Sequence, residues 1–159
     1  MNKRAFIQKI VAQLAEELQV YFRAAAASRT EATHEQSKAE NKYDTRGLEA
    51  SYLARGQSRQ AAEIQDSIAA FEKLAPRHFG DADPVDVGAF VELETKGEKA
   101  AYFIGPRAGG TEVTHDRRTV LVITPESPLG KQLMGCKQGD TLKLIIADTK
   151  NQCRVNVVA

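Results

Sequence analysis

The sequence predicts an α+β chain: an N-terminal antiparallel coiled-coil hairpin of two helices, followed by a small antiparallel sheet domain carrying one short helix. Three observations lead there. Residues 3 to about 36 contain neither Pro nor Gly and place apolar residues three and four apart. After Pro76 the rhythm changes to period two, the alternation of half-buried strands. Within that second part, Ser127-Pro128 opens a short segment that Gly135 closes, the signature of a helix with both ends marked.

The first stripe runs Ile7, Ile10, Leu14, Leu18, Tyr21, Ala25, one face of a helix. A second, from about residue 40 to Ala75, runs Ala50, Leu53, Ala61, Ile64, Ile68, Phe71. Gly47 and Gly56 weaken it by roughly 1 kcal/mol each relative to Ala. Each stripe is narrow, so folding the helices back on one another is the least costly way to bury both. The turn is expected between Glu35 and Asn41. Ile7, Ile10 and Leu14 are expected to meet Ile64, Ile68 and Phe71 at the other end. Residues 1–75 are read as the hairpin, 76–84 as a linker containing Gly80-Asp81-Ala82-Asp83-Pro84, and 85–159 as the sheet domain.

In that domain Val87/Ala89/Val91/Leu93, Leu142/Leu144/Ile146 and Val155/Val157 alternate, and Ala100–Ile104 and Thr119–Thr124 are further short apolar runs. Gly109-Gly110 reads as a hairpin turn, lacking the context of a phosphate loop. Cys136 reads as a small buried residue after a helix end rather than a redox thiol.

Composition narrows the function. The 159 residues carry 22 Lys+Arg against 21 Asp+Glu, so a globally basic nucleic-acid coat is excluded. Aromatics are 6% with no Trp, too few for stacked single-strand platforms. Two Cys and three His do not assemble a classical zinc finger. Polar residues break the N-terminal apolar run before a signal-peptide core forms, and no stretch approaches the ~20 apolar residues of a membrane span. A cytoplasmic, monomeric protein without a membrane partner is expected.

Ile123-Thr-Pro-Glu-Ser-Pro-Leu-Gly-Lys-Gln-Leu-Met-Gly-Cys-Lys-Gln-Gly-Asp140 closely resembles the signature S-P-[I/L]-G-x-x-L-[L/I/M]-G-K-x-x-G-D of the Gre transcript-cleavage factors of bacterial RNA polymerase. Cys136 departs from the usual Lys after the Gly. Asp86-Val-Gly-Ala-Phe-Val-Glu-Leu93 resembles the strand that opens the family's FK506-binding-protein-like (FKBP-like) domain. The resemblance implies a non-enzymatic transcription elongation regulator. Its C-terminal domain would dock on RNA polymerase through Glu126, Ser127 and Pro128. Its hairpin would enter the secondary channel, close to transcript RNA and template DNA.

At the hairpin tip the family carries acidic residues that help hold a second Mg²⁺ shared with the polymerase. The matching stretch is Gln36-Ser-Lys-Ala-Glu-Asn-Lys-Tyr-Asp44, in which Glu40-Asn41 matches the family's Glu-Asn pair, so the resemblance implies catalytic assistance by Glu40. Asp44 and Glu35 lie close enough to substitute for the missing acid, with Glu40 and Asp44 as metal ligands in the complex only. No cofactor is expected on the chain alone. Ser37 stands where the family has Asp and supplies no negative charge; Lys38 and Lys42 flank the site. Two outcomes stay open: the factor stimulates cleavage of backtracked transcripts, or it occupies the channel without completing the metal site.

Other residues carry weaker readings. Arg46, Arg55 and Arg59 read as an exposed face of helix two, with Arg55 and Arg59 one turn apart, and Lys3, Arg4 and Lys9 as a solvated terminus. A peptidyl-prolyl isomerase reading would need an aromatic pocket, and only Phe90, Tyr102 and Phe103 follow Phe79. A hairpin adaptor for a different protein is the remaining reading.

Overall fold

A computed structural model describes residues 1–33 and 46–159. Glu35, Ser37, Glu40, Asn41 and Asp44, with the expected turn, lie outside the described residues. Two long helices, α1 (Lys3–Thr33) and α2 (Arg46–Glu72), precede the strands. The strands are β1 (Phe90–Thr95), β2 (Glu98–Ile104), β3 (Glu112–His115), β4 (Arg118–Ile123), β5 (Thr141–Ile146) and β6 (Thr149–Val158). The short helix α3 (Pro128–Leu133) lies between β4 and β5 in sequence. No described helix is long and apolar enough to cross a membrane. By internal contacts the chain forms two units, residues 12–69 and residues 1–11 with 70–159.

Among the residues of the helical unit whose side chains are described, the buried apolar ones are Leu14 of α1 and Ala61 and Ile64 of α2, all members of the sequence stripes. Leu18, Tyr21 and Ile68 are half-buried, while Val20 and Phe22, off the stripe, are exposed. Arg55 and Arg59 are exposed on α2.

The second unit is built on one six-stranded sheet of order β3-β4-β2-β1-β6-β5. All its pairings are antiparallel except β2 with β4, which run parallel. The cause is the crossover at residues 105–111: the chain leaves β2, forms β3 at the edge, and returns as β4 between the two. Gly109-Gly110 belongs to this crossover and joins strands that do not pair, so it is not a hairpin turn. The hairpins are elsewhere. Lys96-Gly97, Asp116-Arg117 and Ala147-Asp148 each hold two successive residues at positive φ, the arrangement that matches strand twist across a two-residue connection.

Alternation along the strands gives the sheet two apolar faces. One carries Val91, Leu93, Ile104, Ile123, Val155 and Cys153, closed by Leu133 of α3. Phe90, Phe103, Val120 and Val122 are also buried, and Phe6 from the first turn of α1 sits against Phe103 with ring centroids 5.1 Å apart. Phe6 falls outside the stripe that starts at Ile7, yet it is fully buried and its ring also meets His115 edge-on at 5.5 Å. The start of α1 therefore buries a wider sector than a hairpin alone requires: Phe6, Ile7 and Ile10. Consecutive Tyr102 and Phe103 point to opposite sides of β2, so these aromatics do not line one pocket.

Lys3 is not a solvated terminal charge. It is 5% exposed, donates to the carbonyls of Arg77 and Gly88 (2.8 Å to the latter), and its ammonium lies 4.3 Å from the centre of the Phe79 ring. Lys9 likewise donates to the Thr114 carbonyl at 3.2 Å. Burial, and then the charge of Arg77, push the Lys3 pKa down to about 8 from 10.5. Between those pH values the unfolded chain binds more protons at this position than the folded one, so stability rises with pH. Relative to Lys3→Met, the natural protein is expected to gain about 2–3 kcal/mol across this window, read by urea unfolding at each pH. A constant or shrinking gap would mean that the two carbonyls and the ring face keep the ammonium charged.

Candidate polymerase-docking site

Glu126, Ser127 and Pro128 sit at the entrance of α3, and the local chemistry explains why the chain turns there. Ser127 has extended backbone (φ −64°, ψ 154°), and its hydroxyl oxygen accepts from the Gly130 amide at 3.0 Å. The same hydroxyl donates to the Thr124 carbonyl at 2.7 Å, which closes the turn before the helix. Pro128 occupies the first helical turn, where its missing N–H costs nothing and its fixed φ is already helical. Glu126 and Pro128 are exposed and Ser127 is half-buried, so one short turn displays all three.

The helix has only six residues, too few to persist on propensity alone. Several ties hold it. Leu133 is fully buried in the core. Gly130 is buried against the Thr124–Ser127 turn so closely that an added Cβ would collide with the Thr124 carbonyl oxygen and come within 2.8 Å of the Ser127 hydroxyl. Gly135 adopts φ 84° just past the helix, as its position in sequence predicts. The Gly135 amide donates to the Val85 carbonyl at 2.9 Å, and the Val85 amide to the Cys136 carbonyl at 2.7 Å.

Cys136 is half-buried, and its thiol donates to the Gln132 carbonyl at 3.3 Å. Burial, and then the neighbouring Asp140 charge, raise its pKa, which holds it as a neutral thiol and agrees with a structural role.

A broad groove of about 560 Å³ lies elsewhere on the sheet, lined by Glu92, Lys99, Ala101, Tyr102 and Arg118 among others. Glu92 at its floor pairs with Arg118 at 2.9 Å and Lys99 at 3.2 Å. Burial works to raise its pKa, but hydrogen bonding and charge from Lys99, with the Arg118 charge, bring it below the usual value. Both cations of the groove are thus committed to a carboxylate of the chain itself. Among the described residues no cluster of His, Cys, Asp and Glu is placed to hold a metal ion.

The model of the transcription elongation factor GreA/GreB C-terminal region matches residues 80–159, half of the chain and all of the Ser127 turn. The chain belongs to the GreA/GreB family. Factors of this family act with RNA polymerase in transcription elongation. No curated protein sequence matches significantly. Among solved structures, the GreA factor homolog 1 (Gfh1) protein of Thermus thermophilus is similar at 23% identity, over 94% of each chain, with a TM-score of 0.40. Gfh1 of Thermus aquaticus is similar at 24% identity, over 98% of this chain and 92% of that one, with a TM-score of 0.41.

The structure brings Glu126, Ser127 and Pro128 together on one turn of this Gre-family chain. Glu35, Glu40 and Asp44 lie outside the described residues. The sequence does not single out two residues of this helix: Gly130 is a fixed position of the motif and Gln132 a variable one, and the burial of Gly130 against Thr124 becomes visible only in the folded chain.

Proposed function

We propose that this Gre-family chain docks on RNA polymerase through the Glu126–Pro128 turn. Its acidic segment between α1 and α2 then enters the secondary channel and stimulates cleavage of backtracked transcripts. The observation that carries the reading is the family match over residues 80–159, which contains a turn fixed by Ser127 and displaying Glu126 and Pro128. The protein acts in the cytoplasm as a monomer and is not an enzyme by itself, because half of the reacting site belongs to the polymerase.

Glu40 and Asp44 would hold a Mg²⁺ shared with the polymerase, and Glu35 would add negative charge beside them. Carboxylate oxygens are the hard donors that such an ion takes, and it commonly binds through one or two of them while keeping several waters. When bound, the ion would stabilise charge on the attacking and leaving oxygens during hydrolysis of the transcript.

Ser37 favours a second reading, in which the factor occupies the channel and modulates the polymerase without completing the metal site. A transcript-cleavage assay on a stalled complex, with and without added Mg²⁺, separates the two. On the main reading the natural protein shortens the transcript and Ser37→Asp does so faster. If only Ser37→Asp shortens it, the natural form is a modulator. Binding without shortening by either form would remove the metal role.

A further inference from the structure

We infer that Gln132 is the positioning residue of the docking turn, splinting α3 to the free edge of β5. The inference rests on the docking reading for the function of the turn, and on hydrogen bonds for the splint itself. β5 is an edge strand, paired on one side with β6. Its outer side presents the amide and carbonyl of Ile145, and both are taken by one side chain. The Ile145 amide donates to Gln132 Oε1 at 2.8 Å, and Gln132 Nε2 donates to the Ile145 carbonyl at 3.1 Å. That exchange reproduces what a neighbouring antiparallel strand would make with one residue.

The same Nε2 donates to the carbonyl of Pro128, at the opposite end of α3, at 2.9 Å. One amide group therefore links the first residue of the helix to Ile145 on β5, thirteen residues beyond Gln132 itself. Its chemistry is specific, because an amide both donates and accepts in one plane, as the strand edge demands. The Ile145 side chain is 49% exposed, so this strand edge is near solvent and would otherwise be open to pairing with another chain. Leu133 anchors α3 in depth, and Gln132 fixes where its Pro128 end lies along β5.

The test compares Gln132→Ala and Gln132→Glu with the natural protein in amide hydrogen exchange and in binding to core RNA polymerase. Solvent can reach the edge in Gln132→Ala, so the sheet is expected to stay folded, with core amides such as Val91 and Val155 exchanging at natural rates. The Ile145 amide and the α3 amides should exchange faster, and polymerase binding should weaken, each by about tenfold. Gln132→Glu keeps the acceptor for the Ile145 amide but loses both donors and places a carboxylate against two carbonyl oxygens. It should leave Ile145 more protected than the alanine variant does, yet bind polymerase at least as weakly.

Natural exchange of Ile145 and α3 in Gln132→Ala overturns the splint. Natural polymerase affinity in both variants overturns the positioning role. Equal acceleration of Val91 and Val155 overturns it as well, because the effect would then be global stability. Should the natural protein itself fail to bind polymerase, the docking reading is lost, and the α3 exchange rates alone decide the splint.

Discussion

Gly130→Ala is expected to detach the factor from RNA polymerase while leaving the strands paired. The methyl group would enter the space of the Thr124 carbonyl oxygen, with the Thr124 carbonyl carbon 2.9 Å away, and these are backbone atoms that no rotamer change can move aside. The turn must open, which breaks the Ser127 hydroxyl bonds to Thr124 and Gly130 together. Overpacking of this kind costs about 1–3 kcal/mol, and the lost cap adds about 1 kcal/mol more. If the loss is confined to the docking turn, a cost of about 3 kcal/mol weakens binding more than about a hundredfold. Gly97→Ala is the control. It adds a methyl at φ 84° in open space, so it strains its own hairpin by about 1–2 kcal/mol and should leave docking intact. Equal affinity of Gly130→Ala and the natural protein would show that the Ser127 turn is not the docking surface.

The double variant Glu40→Ala with Asp44→Ala should abolish transcript shortening while keeping polymerase affinity. In the proposed site these carboxylates complete a metal site whose other half belongs to the partner, and neither takes part in docking. A metal ion supplies several kcal/mol to a charged transition state, so losing its outside ligands is expected to slow shortening more than about a hundredfold. The readout is the rate of shortening at saturating factor, where weakened docking is compensated by concentration. Undiminished shortening would mean that other carboxylates, or none from this chain, serve the reaction. The Ser37→Asp background offers the more sensitive comparison, because it carries the charge that the natural sequence lacks at that position.

Where the sequence repeats a local pattern, the fold is legible in it. Leu14, Ala61 and Ile64 stand at helical spacing and are buried. Ser127, Pro128 and Gly135 are punctuation with a mechanism, and the structure places them at the two ends of α3. β3 was hidden for a physical reason. It has only four residues, of which Val113 and His115 are buried, and its hairpin turns on Asp116-Arg117, a pair without Gly or Asn. Phe6 escaped because the start of α1 buries a sector wider than one stripe. Lys3 escaped because a terminal lysine is ordinarily solvated, and nothing local announces carbonyl partners at Arg77 and Gly88. Gln132 is the same case: its partner Ile145 lies thirteen residues away on an edge strand, and only the fold brings them together. Glu40 rests on the resemblance of Gln36–Asp44 to the family pattern, and Glu35 and Asp44 on lying close enough in sequence to substitute for the acid absent at Ser37.

Placing a photo-crosslinking amino acid at position 40, in a factor bound to a stalled elongation complex, measures where the acidic segment goes. Adducts are expected with the 3′ end of the transcript and with the polymerase's own half of the metal site, suppressed by Gly130→Ala. Adducts confined to the outer surface of the polymerase, or undiminished by Gly130→Ala, would contradict this placement.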